Sequence, residues 1–265
     1  ATYKTNFKKV VVAVNISLDS QNLVNGLFIK PYEEPKNTES RVINTLSNYS
    51  TEIAEIIFAK TKDFPNKTQL SIAVIQNGET NYYGIIKEND TIKPTKNQNK
   101  IFEIGSITKV FTSTVFASLI EDKKLKLTDE INTFYSFSIK DNTKISFQSL
   151  ANHTSGLPRL PENLDLSNET NPYKNYGKKE IEEYLKNLLK LENEPSKISS
   201  YSNLGAGLLG HTLGLSQKSS FQKLLQKRIF DKYKMTNSFT TSQNLDKRLV
   251  KGLDGNGEVV ANWDF

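Results

Sequence analysis

The sequence predicts an α+β fold, an antiparallel sheet combined with a mostly helical subdomain. Three observations predict it. A segment with helical periodicity at residues 39–60 runs directly into two apolar strands that flank Asn77-Gly78. Beyond residue 104 the apolar residues come at helical spacing and in helical lengths rather than in alternation. The composition is that of a folded chain, with 36% hydrophobic against 24% charged residues and with 14 Phe and 11 Tyr to fill a core.

Taken in order, the chain opens with two predicted strands. Residues 10–14 are a β-branched run, and Leu27, Phe28 and Ile29 follow a polar connection (Asp19, Ser20, Gln21, Asn22) and Gly26. Pro31, Glu33, Glu34 and Pro35 read as a linker. Two strands cannot form a core alone, so residues 1–35 are expected to be the tail of a small N-terminal domain or extension, and residues 36–265 the main domain. In the latter, Val42, Ile43, Leu46, Ile53, Ile56, Ile57 and Phe58 predict a helix over 39–60. Residues 70–75 and 82–86 then form a hairpin, because Asn-Gly tolerates the positive φ of a two-residue turn. A polar loop to Lys100 leads to helices at about 106–121, 146–152, 178–190, 203–213 and 219–230. The loop at 153–175 is marked by Gly156, Pro158, Pro161 and Pro172.

Composition excludes several chemistries. With no Cys, thiol nucleophiles, disulfides and thiolate metal sites are ruled out, and His153 and His211 are the only imidazoles. No His, Asp or Glu cluster has metal-ligand spacing and no Gly-rich phosphate loop follows a strand, so no metal and no cofactor are expected. The net charge is +6 and the pI about 9.1, but the Lys residues are scattered among Asn and Glu, which predicts a solvated surface and no nucleic-acid partner. No apolar run reaches the roughly 20 residues of a membrane span. The chain begins with Ala and without a signal-like segment. The expectation is an exported protein, periplasmic or at the cell surface, with no signal in this chain.

Two Ser-x-x-Lys patterns occur, Ser106 to Lys109 and Ser220 to Lys223, and context separates them. Lys109 is the only charged residue between Ile104 and Ile120, among Val110, Phe111, Val115, Phe116, Leu119 and Ile120, so its helix is expected to be buried on nearly all sides. A buried ammonium must find partners or lose its proton. Three positions apart on a helix, the amine and the Ser106 hydroxyl share a face, and an amine of lowered pKa can take the serine proton. At a helix start, backbone N–H groups and the dipole favour the oxyanion of the attacked carbonyl. The plainer alternative makes Ser106 an N-cap and sends Lys109 to solvent, although a capping box would carry Glu or Gln where Lys109 stands. Ser220 lies on an exposed amphipathic helix with Gln222, Gln226, Lys227 and Arg228.

A second element, Tyr201-Ser202-Asn203, ends an extended stretch and opens an apolar helix, whereas the similar Tyr173-Lys174-Asn175 lies in a Pro- and Lys-rich loop. A tyrosine beside ammonium groups is drawn toward phenolate and can act as general base. Asn203, donor and acceptor at once, can hold both Lys109 and a substrate carbonyl. The alternative here is an ordinary N-cap by Ser202 or Asn203 with Tyr201 as a core tyrosine.

Together these residues resemble the penicillin-recognising serine hydrolases, a family that includes class C β-lactamases, D-alanyl-D-alanine carboxypeptidases and related esterases. Residues 102–112 are similar to the family's nucleophile motif, 125–129 to the connector after it, 150–158 to the following loop, 201–205 to the second catalytic motif and 229–238 to a further segment, so that the resemblance covers about 38–265. It implies a β-lactamase/transpeptidase-like fold, with Ser106, Lys109 and Tyr201 catalytic and Asn203 binding substrate. The expected function is acyl-enzyme hydrolysis of an amide, β-lactam or ester carbonyl in a small-molecule or peptide partner. His153 matches a loop histidine read as structural, and His211 reads as a satisfied core or interface residue. One departure stands out: the family's third motif, Lys or His, then Thr or Ser, then Gly, does not occur before Trp263-Asp264-Phe265. The C-terminal strands and helix are therefore expected to be missing from this chain, and a missing C-terminal segment is a candidate partner. The alternative is a catalytically impaired binding or sensing module on the same fold.

Overall fold

A computed structural model describes residues 2–6, 11–18, 21, 23–32, 42–167, 171–245 and 247–262. The residues divide into two units, 1–43 and 44–265. The first is an antiparallel meander of β1 (Thr2–Asn6), β2 (Val11–Leu18) and β3 (Val24–Pro31), in that order across the sheet. The sequence predicts two of these strands. It misses β1, whose Thr-Tyr-Lys-Thr-Asn carries no apolar run and is stabilised by pairing along β2. Pro31, expected in a linker, ends β3, where Tyr32 N–H donates to Val11 O. The predictions made for Val10, Asp19, Ser20, Asn22, Glu33, Glu34, Pro35 and residues 263–265 lie outside the described residues.

At the boundary, β4 (Ile43–Asn44) precedes α1 (Thr51–Thr61), and this is a correction. Of the helix predicted over 39–60, residues 39–41 lie outside the described residues, and the described helix starts only at Thr51, for a local reason. Asn44 Oδ1 accepts from Leu46 N–H, while Thr45 donates both its N–H and its hydroxyl to Ile92 O. Short polar side chains thus take the backbone out of the helix. Ala54, Ile57 and Thr61 form the buried side of α1.

The predicted hairpin is β5 (Gln69–Gln76) and β6 (Glu79–Glu88), paired in unbroken register from Gln69–Ile86 to Gln76–Glu79. Asn77 and Gly78 both have positive φ, 52° and 80°. A second tight turn at Asn89-Asp90, also at positive φ, leads into β7 (Thr91–Pro94), and the sheet order is β4-β7-β6-β5. The sequence reading takes β7 for loop because Thr-Ile-Lys-Pro has one apolar side chain, although Asn89-Asp90 is a usable turn signal.

The helical subdomain follows. A single 3-10 turn (Gly105–Ile107) opens α2 (Thr108–Glu121). Then come α3 (Phe147–Ala151), α4 (Lys178–Glu183) with a π-helical turn through Leu188, α5 (Asn203–Ser216), and α6 (Phe221–Leu225) with a π-helical turn through Phe230. The α5 helix packs on α2, α3 and α6. The core between them holds Val115, Leu119, Leu204, Leu208 and Leu213, with Phe147 stacked on Phe116 and edge-on to Phe134. Burial of this kind is worth about 1.5–3 kcal/mol per large side chain and fixes the starts of α2 and α5 relative to each other.

One expectation about α2 is overturned. Its buried residues are Thr112, Val115, Phe116 and Leu119, while Val110 is 64% exposed and Ile107, in the turn before it, 59%. With Thr114 and Ala117 these form an open stripe at helical spacing. A helix apolar all round predicts burial all round, but among the described residues one face of α2 has no covering element. Lys109 is accordingly half-buried, not enclosed.

Candidate active site

Three local structures bring the site together. Gly105 has φ +51, a left-handed conformation that costs an L side chain about 1–2 kcal/mol, and it turns the chain so that Ser106 stands at the head of α2 with its hydroxyl exposed. Lys109 follows one turn on. Across from them Ser202 is the N-cap of α5: its Oγ accepts from Gly205 N–H (2.8 Å) and donates to Pro158 O (2.6 Å). Tyr201 and Asn203 flank that cap and project toward α2. The capping alternative holds for Ser202 alone, since Ser106 caps nothing and Tyr201 is 41% exposed, not core.

The loop between α3 and α4 is pinned against the same helix start. Gly156 has φ +75, and a Cβ there would lie 2.0 Å from Asn193 O. Its own carbonyl accepts from Glu192 N–H, Thr154 O from Ser196 N–H and His153 O from Ser200 N–H. His153 Nδ1 accepts from Ser202 N–H (3.2 Å), which assigns the imidazole proton to Nε2, and its ring centroid is 4.7 Å from that of Tyr201. Burial, then the charge of Lys109, holds the His153 pKa below the usual imidazole value. It is therefore neutral at neutral pH and orders the loop and the Tyr201 ring.

The four residues singled out from the sequence meet at hydrogen-bond distance. Lys109 Nζ donates to Ser106 Oγ (3.0 Å) and to Asn203 Oδ1 (3.0 Å). Ser106 Oγ and Tyr201 Oη are 2.8 Å apart, with either able to donate. Burial opposes ionisation of Tyr201. It is outweighed by the hydrogen bonds from Lys109 and Ser106 and by the charges of Lys109 and Arg159, so that its pKa lies below the ordinary phenol value. With the Lys109 protons directed at Ser106 and Asn203, the arrangement suits a proton leaving Ser106 for Tyr201.

Sequence reasoning missed Arg159. Its Cζ is 5.2 Å from the Tyr201 ring centroid and its carbonyl accepts from both Asn203 N–H (3.0 Å) and Leu204 N–H (3.2 Å). The available signal was its rarity, one of four arginines in the chain, directly after Gly-Leu-Pro. The two decoys resolve physically. Ser220 is the N-cap of α6, its Oγ accepting from Lys223 N–H (3.3 Å), and Tyr173 is buried. His211 stacks on Tyr135 in the core, as its apolar setting predicts, but its Nε2 has no hydrogen-bond partner among the described residues, so it is not the satisfied histidine expected. Among the described residues no group of His, Asp and Glu could hold a metal ion, and no helix is long and apolar enough to cross a membrane.

Comparison with known proteins identifies the same relationship. Residues 62–263 match the family model described as Beta-lactamase. The chain is 30% identical over 195 residues to a beta-lactamase of Pseudomonas fluorescens, covering 72% of this chain and 51% of that protein. It is also 30% identical over 219 residues to beta-lactamase-like protein 2 of Dictyostelium discoideum, covering 79% and 39%. Among solved structures, a beta-lactamase/D-alanine carboxypeptidase from Yersinia pestis complexed with citrate superposes with a TM-score of 0.63 at 26% identity, over 77% of this chain and 58% of that one. The chain spans about half the length of the first of these curated relatives. A β-lactamase/transpeptidase-like fold, a Ser-x-x-Lys turn facing a Tyr-Ser-Asn helix start, and a family match over most of the sequence agree: the chain belongs to the beta-lactamase family.

Proposed function

We propose that this chain carries the acylation half of a serine hydrolase active site. Ser106 Oγ attacks an amide, β-lactam or ester carbonyl, and its proton passes to Tyr201 while Lys109 donates to Ser106 Oγ and lends its charge to the Tyr201 ring. The tetrahedral oxyanion forms near the N-terminal turn of α2, where the helix dipole favours it. Collapse breaks the bond to the leaving nitrogen or oxygen, which takes the proton back from Tyr201. Water then hydrolyses the Ser106 ester, and Asn203 positions the substrate carbonyl's neighbourhood. The observation that carries this reading is the set of three contacts, 2.8 Å between Ser106 and Tyr201 and 3.0 Å from Lys109 to each of Ser106 and Asn203.

The names of the relatives, a beta-lactamase and a beta-lactamase/D-alanine carboxypeptidase, support a β-lactam or D-amino peptide as substrate. We further propose export to the periplasm or cell surface, and residues 1–35 as a domain or extension distinct from 36–265. The test is incubation with a fluorescent penicillin and with a fluorophosphonate, followed by mapping of the adduct. The expected label is on Ser106 and is absent from Ser106→Ala; label elsewhere, or equal labelling of that variant, removes the proposal.

A further inference from the structure

We propose that Arg159 is a positioning residue for Tyr201: its guanidinium, held over the phenol ring, is a second cation that readies the phenol oxygen to take the Ser106 proton. The inference rests on the reading of Tyr201 as the proton acceptor and adds a residue that the Ser-x-x-Lys and Tyr-Ser-Asn patterns do not contain.

The geometry has two parts. The guanidinium carbon lies 5.2 Å from the ring centroid, within the roughly 6 Å at which a cation and an aromatic face attract. The backbone of the same residue is tied to the helix start that carries Asn203, since Arg159 O accepts the N–H groups of Asn203 and Leu204 and the preceding Pro158 O accepts the Ser202 hydroxyl. The Arg159 backbone is therefore fixed beside the α5 start, and its exposed side chain reaches the Tyr201 ring from there.

The groups facing Tyr201 from the elements packed against it are Ser106 and Lys109 at the head of α2, and His153 and Arg159 from the loop. His153 is neutral, as argued above. Lys109, with its Nζ 4.9 Å from the ring centroid, is the first cation at Tyr201 and also donates to Ser106 and Asn203. Arg159 makes no side-chain hydrogen bond or ion pair among the described residues, so its charge is left to act on the ring. A guanidinium suits this place better than an ammonium, because it is planar, stacks, and stays charged at any working pH. Against burial, the Tyr201 pKa is lowered first by the hydrogen bonds from Lys109 and Ser106, then by the charge of Lys109, and last by that of Arg159.

The test reads Tyr201 directly. Near-ultraviolet phenolate absorbance is titrated for the wild-type chain, Arg159→Gln and Arg159→Lys, each as a difference from the same protein carrying Tyr201→Phe. An exposed guanidinium–phenolate pair predicts that Arg159→Gln raises the Tyr201 midpoint by about 0.2–0.7 pH unit, and that Arg159→Lys raises it by less. The rate of Ser106 labelling by a fluorophosphonate should fall in Arg159→Gln at low pH and recover above the shifted midpoint. An unchanged midpoint in Arg159→Gln, equal shifts in both variants, or a labelling rate lowered equally at every pH would overturn the proposal while leaving Tyr201 as acceptor. A wild-type midpoint at or above the ordinary phenol value would instead remove the Tyr201 reading itself, and this inference with it.

Discussion

Replacing Gly156 by Ala should damage stability and site together, and the structure sets the size. The residue is at φ +75 and an added Cβ would stand 2.0 Å from Asn193 O and 3.0 Å from Asn193 C, both backbone atoms that cannot rotate away. Reaching ordinary contact at 3.4 Å requires the two loops to part by 3.4 minus 2.0, or 1.4 Å. That movement breaks the bond from Glu192 N–H to Gly156 O, now 2.8 Å. The left-handed conformation costs about 1–2 kcal/mol and the lost hydrogen bond about 0.5–1.5 kcal/mol. Together these come to about 1.5–3.5 kcal/mol, which for a chain of this size lowers the Tm by roughly 3–14 °C. Because His153 and Arg159 flank the same loop, Ser106 labelling should slow as well. Gly78→Ala is the control, with φ +80 and nothing within 4 Å, and it should show the conformational cost alone with unchanged labelling. Thermal unfolding of both variants decides the matter: a Gly156→Ala protein no less stable than Gly78→Ala would refute the reasoning.

The other consequences are smaller and separable. Ser220→Ala removes the cap of α6 and should cost about 0.5–2 kcal/mol in denaturant unfolding without changing Ser106 labelling; Ser106→Ala should do the reverse. Ser202→Ala, at a buried cap that also donates to Pro158 O, should cost at least the typical ~1 kcal/mol and slow labelling, since α5 then loses its hold on the loop. His153 and His211 both have pKa values below the usual imidazole value, chiefly through burial. Their neutral forms therefore favour the fold above the unfolded-state pKa, and that stability is lost as pH falls through the lower folded-state values. Unfolding free energy should drop between about pH 7 and pH 5, and the slope should flatten in the double variant His153→Gln, His211→Gln; an unchanged slope would count against these shifts.

What could be read from the sequence follows physical lines. Asn77-Gly78 announces its hairpin because two consecutive positive φ values suit few residues. Helices α2, α3 and α5 are legible because their apolar residues recur at helical spacing, and the meeting of Ser106, Lys109, Tyr201 and Asn203 follows from chemistry that makes sense only in combination. The β1 and β7 strands are not legible, since polar sequences become strands there by pairing with a neighbour. The late start of α1 depends on Asn44 and Thr45 finding partners, one of them 47 residues away. The open face of α2 is hidden from composition too, because Val110 reads as core whether or not anything covers it. Arg159 acts through a contact between a loop and a helix start, which no local pattern encodes.

The rate of Ser106 acylation by a fluorescent penicillin or fluorophosphonate, compared between the wild-type chain and Tyr201→Phe near neutral pH, probes the proposed proton path most directly. Loss of a positioned acid–base group predicts slowing by about 10²- to 10⁴-fold, with the residual adduct still on Ser106. A Tyr201→Phe protein acylated within twofold of the wild-type rate would contradict it.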